Sequence, residues 1–185
     1  MIIGVTGPMA SGKNEFGKIL GEHGFSRLSL SDLVREEAKK RGMPIERGIL
    51  QDIGNDLRET YGVGILAELA LKRIDNGNCV IDGIRNPGEI DVLKKRKDFL
   101  LVGVDANTKV RFERVKERIK DSDPKNWEEF LTVETRDREE GGKGQAVDAC
   151  MSLADITLEN NGSREEFHRQ IEQMLKSRRF QEFFR

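Results

Sequence analysis

The 185-residue sequence has no long hydrophobic run, only two cysteines and almost no excess of charge. Its apolar runs are strand-sized, far short of the roughly 20 residues that cross a bilayer as a helix, so no membrane partner is expected. Met1-Ile2-Ile3-Gly4-Val5-Thr6 leads straight into a Gly-rich loop, without the basic and apolar stretches of a cleaved signal peptide. Cys79 and Cys150 provide neither a disulfide framework nor a paired metal-ligand spacing, which points to a reducing cytoplasm. Cys79, inside an apolar run, reads as a small core residue. Lys and Arg number 32 against 33 Asp and Glu, a net charge of -1, where a general nucleic-acid binder carries a basic domain. Nucleic acid is therefore not an expected partner. Repeats, low-complexity segments and linkers are also lacking, and the length suits one domain over 1–185.

What is present is an alternation of short β-branched runs and longer helical stretches, the pattern of a parallel sheet covered by helices. Strands are expected at Ile2 to Thr6, Phe25 to Ser29, Asn78 to Ile81, Phe99 to Val104 and Ile156 to Leu158. Helices are expected from Gly12 to about His23, from a Ser31-Asp32 cap to Gly42, and over Gly48 to Tyr61 and Val63 to Ile74. Others should follow at Pro87 to about Lys97, from about Lys109 to a break at Asp121-Ser122-Asp123-Pro124, and around Trp127 up to Gly141-Gly142. Ser163 to about Ser177 should be a long last helix with an Arg-Arg-Phe tail. The expected fold class is α/β, a doubly wound, five-stranded parallel sheet with helices on both faces.

Gly7-Pro8-Met9-Ala10-Ser11-Gly12-Lys13 matches G-x-x-x-x-G-K between an expected strand and an expected helix. Backbone amides in such a loop, together with the positive end of the following helix, hold phosphates, and Lys13 adds a mobile charge. ATP is the expected donor. A Ser or Thr that would ligate Mg²⁺ is missing after the lysine; Asn14 stands there instead, so the expected Mg²⁺ would rest on Asn14 and Asp82. Asp82 closes a buried strand at the carboxyl edge, where such sheets place ligands.

Two arginine groups provide a second phosphate site. Helical spacing sets Asp32 and Arg35 on one face, and Asp82-Gly83-Ile84-Arg85 closes the third strand. Arginine suits this work because its planar fork grips phosphate in a bidentate way; a surface ion pair is the alternative for Arg35. Gln51, Asn55 and Arg58 share nearly one face and can reach a base or sugar, or simply form a polar outer face. Trp127 and Phe130 read as core anchors, and His23 and His168 as surface or cap residues.

These residues resemble those of the adenylate kinase and wider nucleoside monophosphate kinase family, in which an Asp-x-x-Arg unit opens the acceptor helix and an Asp-Gly-Phe-Pro-Arg segment binds the acceptor phosphate. Here the second segment reads Asp-Gly-Ile-Arg-Asn-Pro. A longer resemblance is to dephospho-CoA-kinase-related P-loop proteins, including an archaeal group of uncertain substrate. It runs through Arg35-Glu36-Glu37-Ala38, Leu57-Arg58-Glu59, Asp82-Gly83-Ile84-Arg85, Trp127-Glu128-Glu129-Phe130 and Ala154-Asp155. By that likeness the Asn160-Asn161-Gly162-Ser163 turn implies an ATP adenine site at Asn161 and Gly162. It also implies an acceptor-binding helical region at about 31–76 and a lid at about 111–143, with Arg114, Arg118 and Arg136 closing over the phosphates. The many acidic neighbours of these arginines leave a helix laced with ion pairs as the alternative. The Pro-Leu-Leu-x-Glu type segment of true dephospho-CoA kinases is not found after the third strand. The expectation is thus an ATP-dependent nucleoside monophosphate kinase acting on a small nucleotide acceptor, as monomer or homodimer. A dephospho-CoA-type 3′-hydroxyl kinase comes second, and a nucleotide-binding regulator with little turnover third.

Overall fold

Two uninterrupted apolar strands organise the molecule: β1 (Ile2–Thr6) and, beside it, β4 (Phe99–Asp105) are buried along nearly their whole length. Strands buried on both faces belong at the centre of a parallel sheet with helices above and below. The computed structural model describes residues 1–75, 77–118, 123–138 and 146–183, without the side chains of 47 and 136–138. In it β2 (Ser26–Ser29), β3 (Cys79–Ile84) and β5 (Ile156–Glu159) complete a five-stranded sheet ordered β2-β3-β1-β4-β5, every pair parallel. The carboxyl ends of all five strands therefore open on one edge, where the crevice of such sheets lies.

Alternation along the strands sends side chains to two cores. Ile3, Val5, Val80, Leu100 and Val102 pack against α1 (Lys13–Glu22) and α9 (Arg164–Lys176) through Phe16, Leu20, Phe167 and Ile171, with Phe180 of α10 (Arg178–Glu182) added. Ile2, Ile81 and Leu101 face α2 (Leu30–Lys40), α3 (Arg47–Tyr61), α4 (Ile65–Leu71), α5 (Pro87–Leu93) and α8 (Val147–Ser152). Two more helices, α6 (Thr108–Arg118) and α7 (Trp127–Arg138), follow β4.

Several expectations shift. α2 starts at Leu30 after Ser29, not at a Ser31-Asp32 cap. β3 runs through Asp82 and Gly83, because its register with β1 skips a residue: Val5 pairs with Asp82 and Thr6 with Ile84. Gly83, at φ +87°, takes up the extra residue, and the Thr6 hydroxyl donates to the Ile84 carbonyl at 2.9 Å. α5 ends at Leu93, short of Lys97, and α8 and α10 were not anticipated as helices. The expected break at Asp121 and Ser122 and the stop at Gly141-Gly142 lie outside the described residues. Trp127 is 37% exposed, so only Phe130 is a fully buried anchor; the two rings stack at 5.8 Å between centroids. Both cysteines are buried, and burial beside Glu89 pushes the Cys150 thiol up to about 12. Among the described residues no helix is long and apolar enough to cross a membrane.

Candidate active site

The loop between β1 and α1 is shaped by steric necessity. Gly7 has φ +142°, and a Cβ there would stand 2.1 Å from the Val104 carbonyl oxygen of β4. Gly12, at φ +115°, precedes the first turn of α1; a Cβ on it would meet Asn160 Nδ2 at 2.2 Å. That same amide nitrogen donates to the Ser11 carbonyl at 2.8 Å, so the end of β5 braces the loop from behind. Lys13 folds over it, its Nζ donating to the carbonyls of Gly7 at 2.7 Å and Pro8 at 2.6 Å. A positive charge thus lies across the mouth of a loop whose helix presents amides without intrahelical partners. The Ser11 side chain is fully buried behind the loop, and among the described residues its hydroxyl has no hydrogen-bond partner.

A cavity of about 950 Å³ opens beside Met9, Ala10, Gly12, Lys13 and Asn14. Its far half is lined by Asp32 and Arg35 of α2, Gln51 and Arg58 of α3, and Asp82 and Arg85, together with apolar Val34, Ile45, Leu50 and Leu66. The fold therefore gathers six of the seven acceptor-side residues singled out in the sequence into one wall opposite the loop, and Asn55 is not part of it. Their environments differ. Arg35 is half-exposed and donates to Asp32 at 2.6 Å. Arg58 is buried against Glu89, Nη2 donating to Oε1 at 2.9 Å. Glu89 has no exposed side-chain surface, and its other oxygen accepts from the backbone N–H groups of Arg85 and Asn86 at 2.9 and 3.2 Å. One buried carboxylate thus fixes both Arg58 and the backbone that carries Arg85.

The three arginines expected to close a lid are placed differently. Arg114 lines the cavity and donates to the Asn160 carbonyl at 2.9 Å and its side-chain oxygen at 3.1 Å. Burial lowers its pKa, with Glu117 opposing. Arg118 also lines the cavity and forms a two-pronged pair with Asp123, at 2.5 and 2.6 Å. Arg136 lies on α7, and its side chain is outside the described residues. Arg111, which sequence reasoning passed over, is almost fully buried; it pairs with Glu134 of α7, donates to the Ala106 carbonyl at 2.7 Å and covers the Phe130 ring. It ties α7 to the segment that follows β4 at the carboxyl edge of the sheet.

Asn161 and Gly162 follow β5 next to Asn160 but do not line the cavity; Asn161 Oδ1 accepts from the Asn107 backbone at 2.7 Å. Beneath them Glu15, on the first turn of α1, binds Arg164 and His168 of α9, each at 2.7 Å. Burial works to raise the Glu15 pKa, but these bonds and the charges of Arg164 and Lys18 outweigh it and hold the carboxyl below its ordinary range.

Asn14 and Asp82, expected to hold a metal, do not offer an open pair of oxygens. Arg27 of β2 reaches between them, one terminal nitrogen donating to Asn14 Oδ1 at 2.7 Å and to Asp82 Oδ2 at 2.9 Å. A divalent cation does not fit between these two side chains as arranged, because a guanidinium already spans them, and among the described residues no group of three or more His, Cys, Asp or Glu forms an alternative site. Arg27 had one sequence signal: it sits two residues before the carboxyl end of its strand, opposite a glycine, Gly17, in the middle of α1.

Comparison with known proteins agrees with this geometry. A family model described as an AAA domain matches residues 3–140. A UPF0200 protein of Pyrococcus horikoshii is 36% identical over 183 residues, covering 95% of this chain and 96% of the relative. A UPF0200 protein of Thermococcus kodakarensis is 33% identical with the same coverage. Among solved structures, TT1252 from Thermus thermophilus superposes with a TM-score of 0.60 at 22% identity, over 95% of this chain and 96% of that one. Shikimate kinase from Acinetobacter baumannii reaches 0.58 at 18% identity, over 96% and 94%. At these identities the superpositions speak for the fold.

Proposed function

We propose, for a chain that belongs to the UPF0200 family and to the P-loop nucleoside monophosphate kinase-like superfamily, that it transfers the γ-phosphate of ATP to the phosphate of a nucleoside monophosphate. The observation that carries this reading is the single cavity in which Lys13 and the loop face Arg35, Arg58 and Arg85. Its volume of about 950 Å³ lies at the upper end of the range for small-molecule sites. Phosphoryl transfer runs through a loose, anionic transition state, so positioning and charge do most of the work.

In that reaction the loop amides and Lys13 hold the donor phosphates; on binding, Lys13 exchanges the Gly7 and Pro8 carbonyls for phosphate oxygens. Arg35 and Arg85 hold the acceptor phosphate, and Arg58, stiffened by Glu89, sets the wall behind it. Gln51 and the apolar Ile45 and Leu50 bound the space for a base. Arg114, anchored on Asn160, and Arg118 stand over the transferring group. Closure of α6 and α7 would exclude the water that otherwise hydrolyses ATP.

A hydroxyl acceptor, of the dephospho-CoA type, has one observation in its favour: the Asp32 carboxylate lines the acceptor half and can accept a proton from a hydroxyl. Measuring ATP consumption with every ribo- and deoxyribonucleoside monophosphate, and with dephospho-CoA, separates the two. Turnover with a monophosphate supports the first reading, and turnover with dephospho-CoA alone replaces it with the second. Tight ATP binding with no acceptor-dependent turnover would leave a nucleotide-binding regulator.

A further inference from the structure

The register of the edge strand decides where Arg27 points. Arg27 pairs with Val80 and Ser29 with Asp82. Val80 belongs to the core beneath α1, so Arg27, Val80 and Asp82 share that face of the sheet. A long side chain leaving Arg27 must run between the sheet and α1 toward the carboxyl edge. It does so over Gly17, where an added Cβ would lie 3.0 Å from Arg27 Nε and 3.3 Å from Cδ and Cζ. Glycine in a helix interior costs about 1 kcal/mol relative to alanine. Here the missing side chain leaves a groove that the guanidinium fills.

At the end of that groove the guanidinium meets Asn14, directly after the loop lysine, and Asp82, at the carboxyl edge of β3. These are the two positions from which a cation beside the nucleotide phosphates would be held. Both N–H groups of one terminal nitrogen are committed to them. Among the described residues, the other terminal nitrogen has no hydrogen-bond partner, and Arg27 lines the same cavity as Lys13. A carboxylate, an amide oxygen and a planar cation with donors to spare form a built unit. Unlike a metal ion it is covalently tethered, and it still has donors to offer a phosphate oxygen.

We infer that Arg27 is the resident counter-cation of the nucleotide site, occupying the place between Asn14 and Asp82 and making nucleotide binding nearly independent of divalent metal. The inference rests on the phosphate-loop reading of Gly7 to Lys13. It explains Asn14: an amide oxygen accepts from a guanidinium at 2.7 Å, whereas a serine or threonine hydroxyl at that position would be shorter and would not span the gap. It also explains a glycine in mid-helix.

The test is ADP affinity, measured by calorimetry on the whole chain in excess Mg²⁺ and in EDTA, for the native protein, Arg27→Gln and Gly17→Ala. Loss of a charge-assisted pair to phosphate is worth about tenfold in affinity. The native protein should bind ADP within about threefold under the two conditions, and Arg27→Gln should lose about tenfold in EDTA and regain most of it with Mg²⁺. Gly17→Ala keeps the charge but presses the Arg27 side chain by a few tenths of an ångström, and should shift the Mg²⁺ dependence in the same direction by less than Arg27→Gln does. Because Arg27 is 36% exposed on an edge strand, Arg27→Gln should melt as a folded protein. A native affinity that collapses in EDTA, or an Arg27→Gln variant with the native metal dependence, overturns the inference and leaves the loop reading intact. No ADP binding by the native protein under either condition overturns both.

Discussion

At the scale of single residues, the site works by restraint. Gly7 is held against Val104 with no room for a methyl group, so Gly7→Ala must push the loop off β4. That variant should remain folded while losing nucleotide binding, checked by calorimetry alongside a thermal melt. Lys13→Ala should leave the fold intact and lower turnover by about 100-fold or more, the usual cost of removing a preorganised charge from a transition state. Arg85→Ala should raise the acceptor KM more than it lowers kcat; an unchanged acceptor KM would remove Arg85 from the site. Arg58 and Glu89 belong to a different class. Both are buried, and Arg58→Met strands a carboxylate that also caps the backbone at 85 and 86. Breaking a buried pair from one side costs about 3–5 kcal/mol, so the melting temperature should fall clearly, whereas a fall no larger than that of a surface variant would contradict this assignment.

At the scale of elements, α1 is the pivot. Its first turn carries Lys13, Asn14 and Glu15, which address the cavity, Arg27 and α9 in turn. The Glu15 carboxyl is held below 4.5 in the folded chain, so the unfolded chain binds the extra proton first as pH falls. Its contribution is therefore present above about pH 4.5 and lost as pH drops through the depressed folded value. Urea midpoints at neutral pH and near about pH 4 should fall less for Glu15→Gln than for the native chain; equal falls would show that the α1–α9 clamp adds nothing. Elements also show where sequence reading succeeds. The central strands and the P-loop were legible because buried parallel strands are continuous apolar runs and the loop obeys fixed spacing. The extension of β3 past Asp82 was not, because a bulge at Gly83 depends on hydrogen bonds from β1. α8 is an element of six residues, fewer than two turns and too short for periodicity to declare.

At the scale of the whole molecule, the sheet order β2-β3-β1-β4-β5 puts the loop after β1 at the centre of the carboxyl edge, with the ends of β2 and β3 on one side and those of β4 and β5 on the other. That topology brings the phosphate loop, the arginines proposed to face the acceptor, and Arg114 and Arg118 to one cavity. That Asp32, Arg35, Asp82 and Arg85 line this cavity was legible in sequence, since Asp and Arg at strand ends and helix starts carry a charge signal. The residues that brace the edges of the cavity, Glu89, Arg111, Asn160 and Arg27, were not, because their partners lie 31, 23, 149 and 55 positions away in the chain. The most direct test follows the phosphate itself, using ATP labelled at the γ-position with the best nucleoside monophosphate from the acceptor screen. The label should appear in the nucleoside diphosphate, in step with ADP formed. Label recovered only as inorganic phosphate, or on a sugar hydroxyl, would contradict a nucleoside monophosphate kinase.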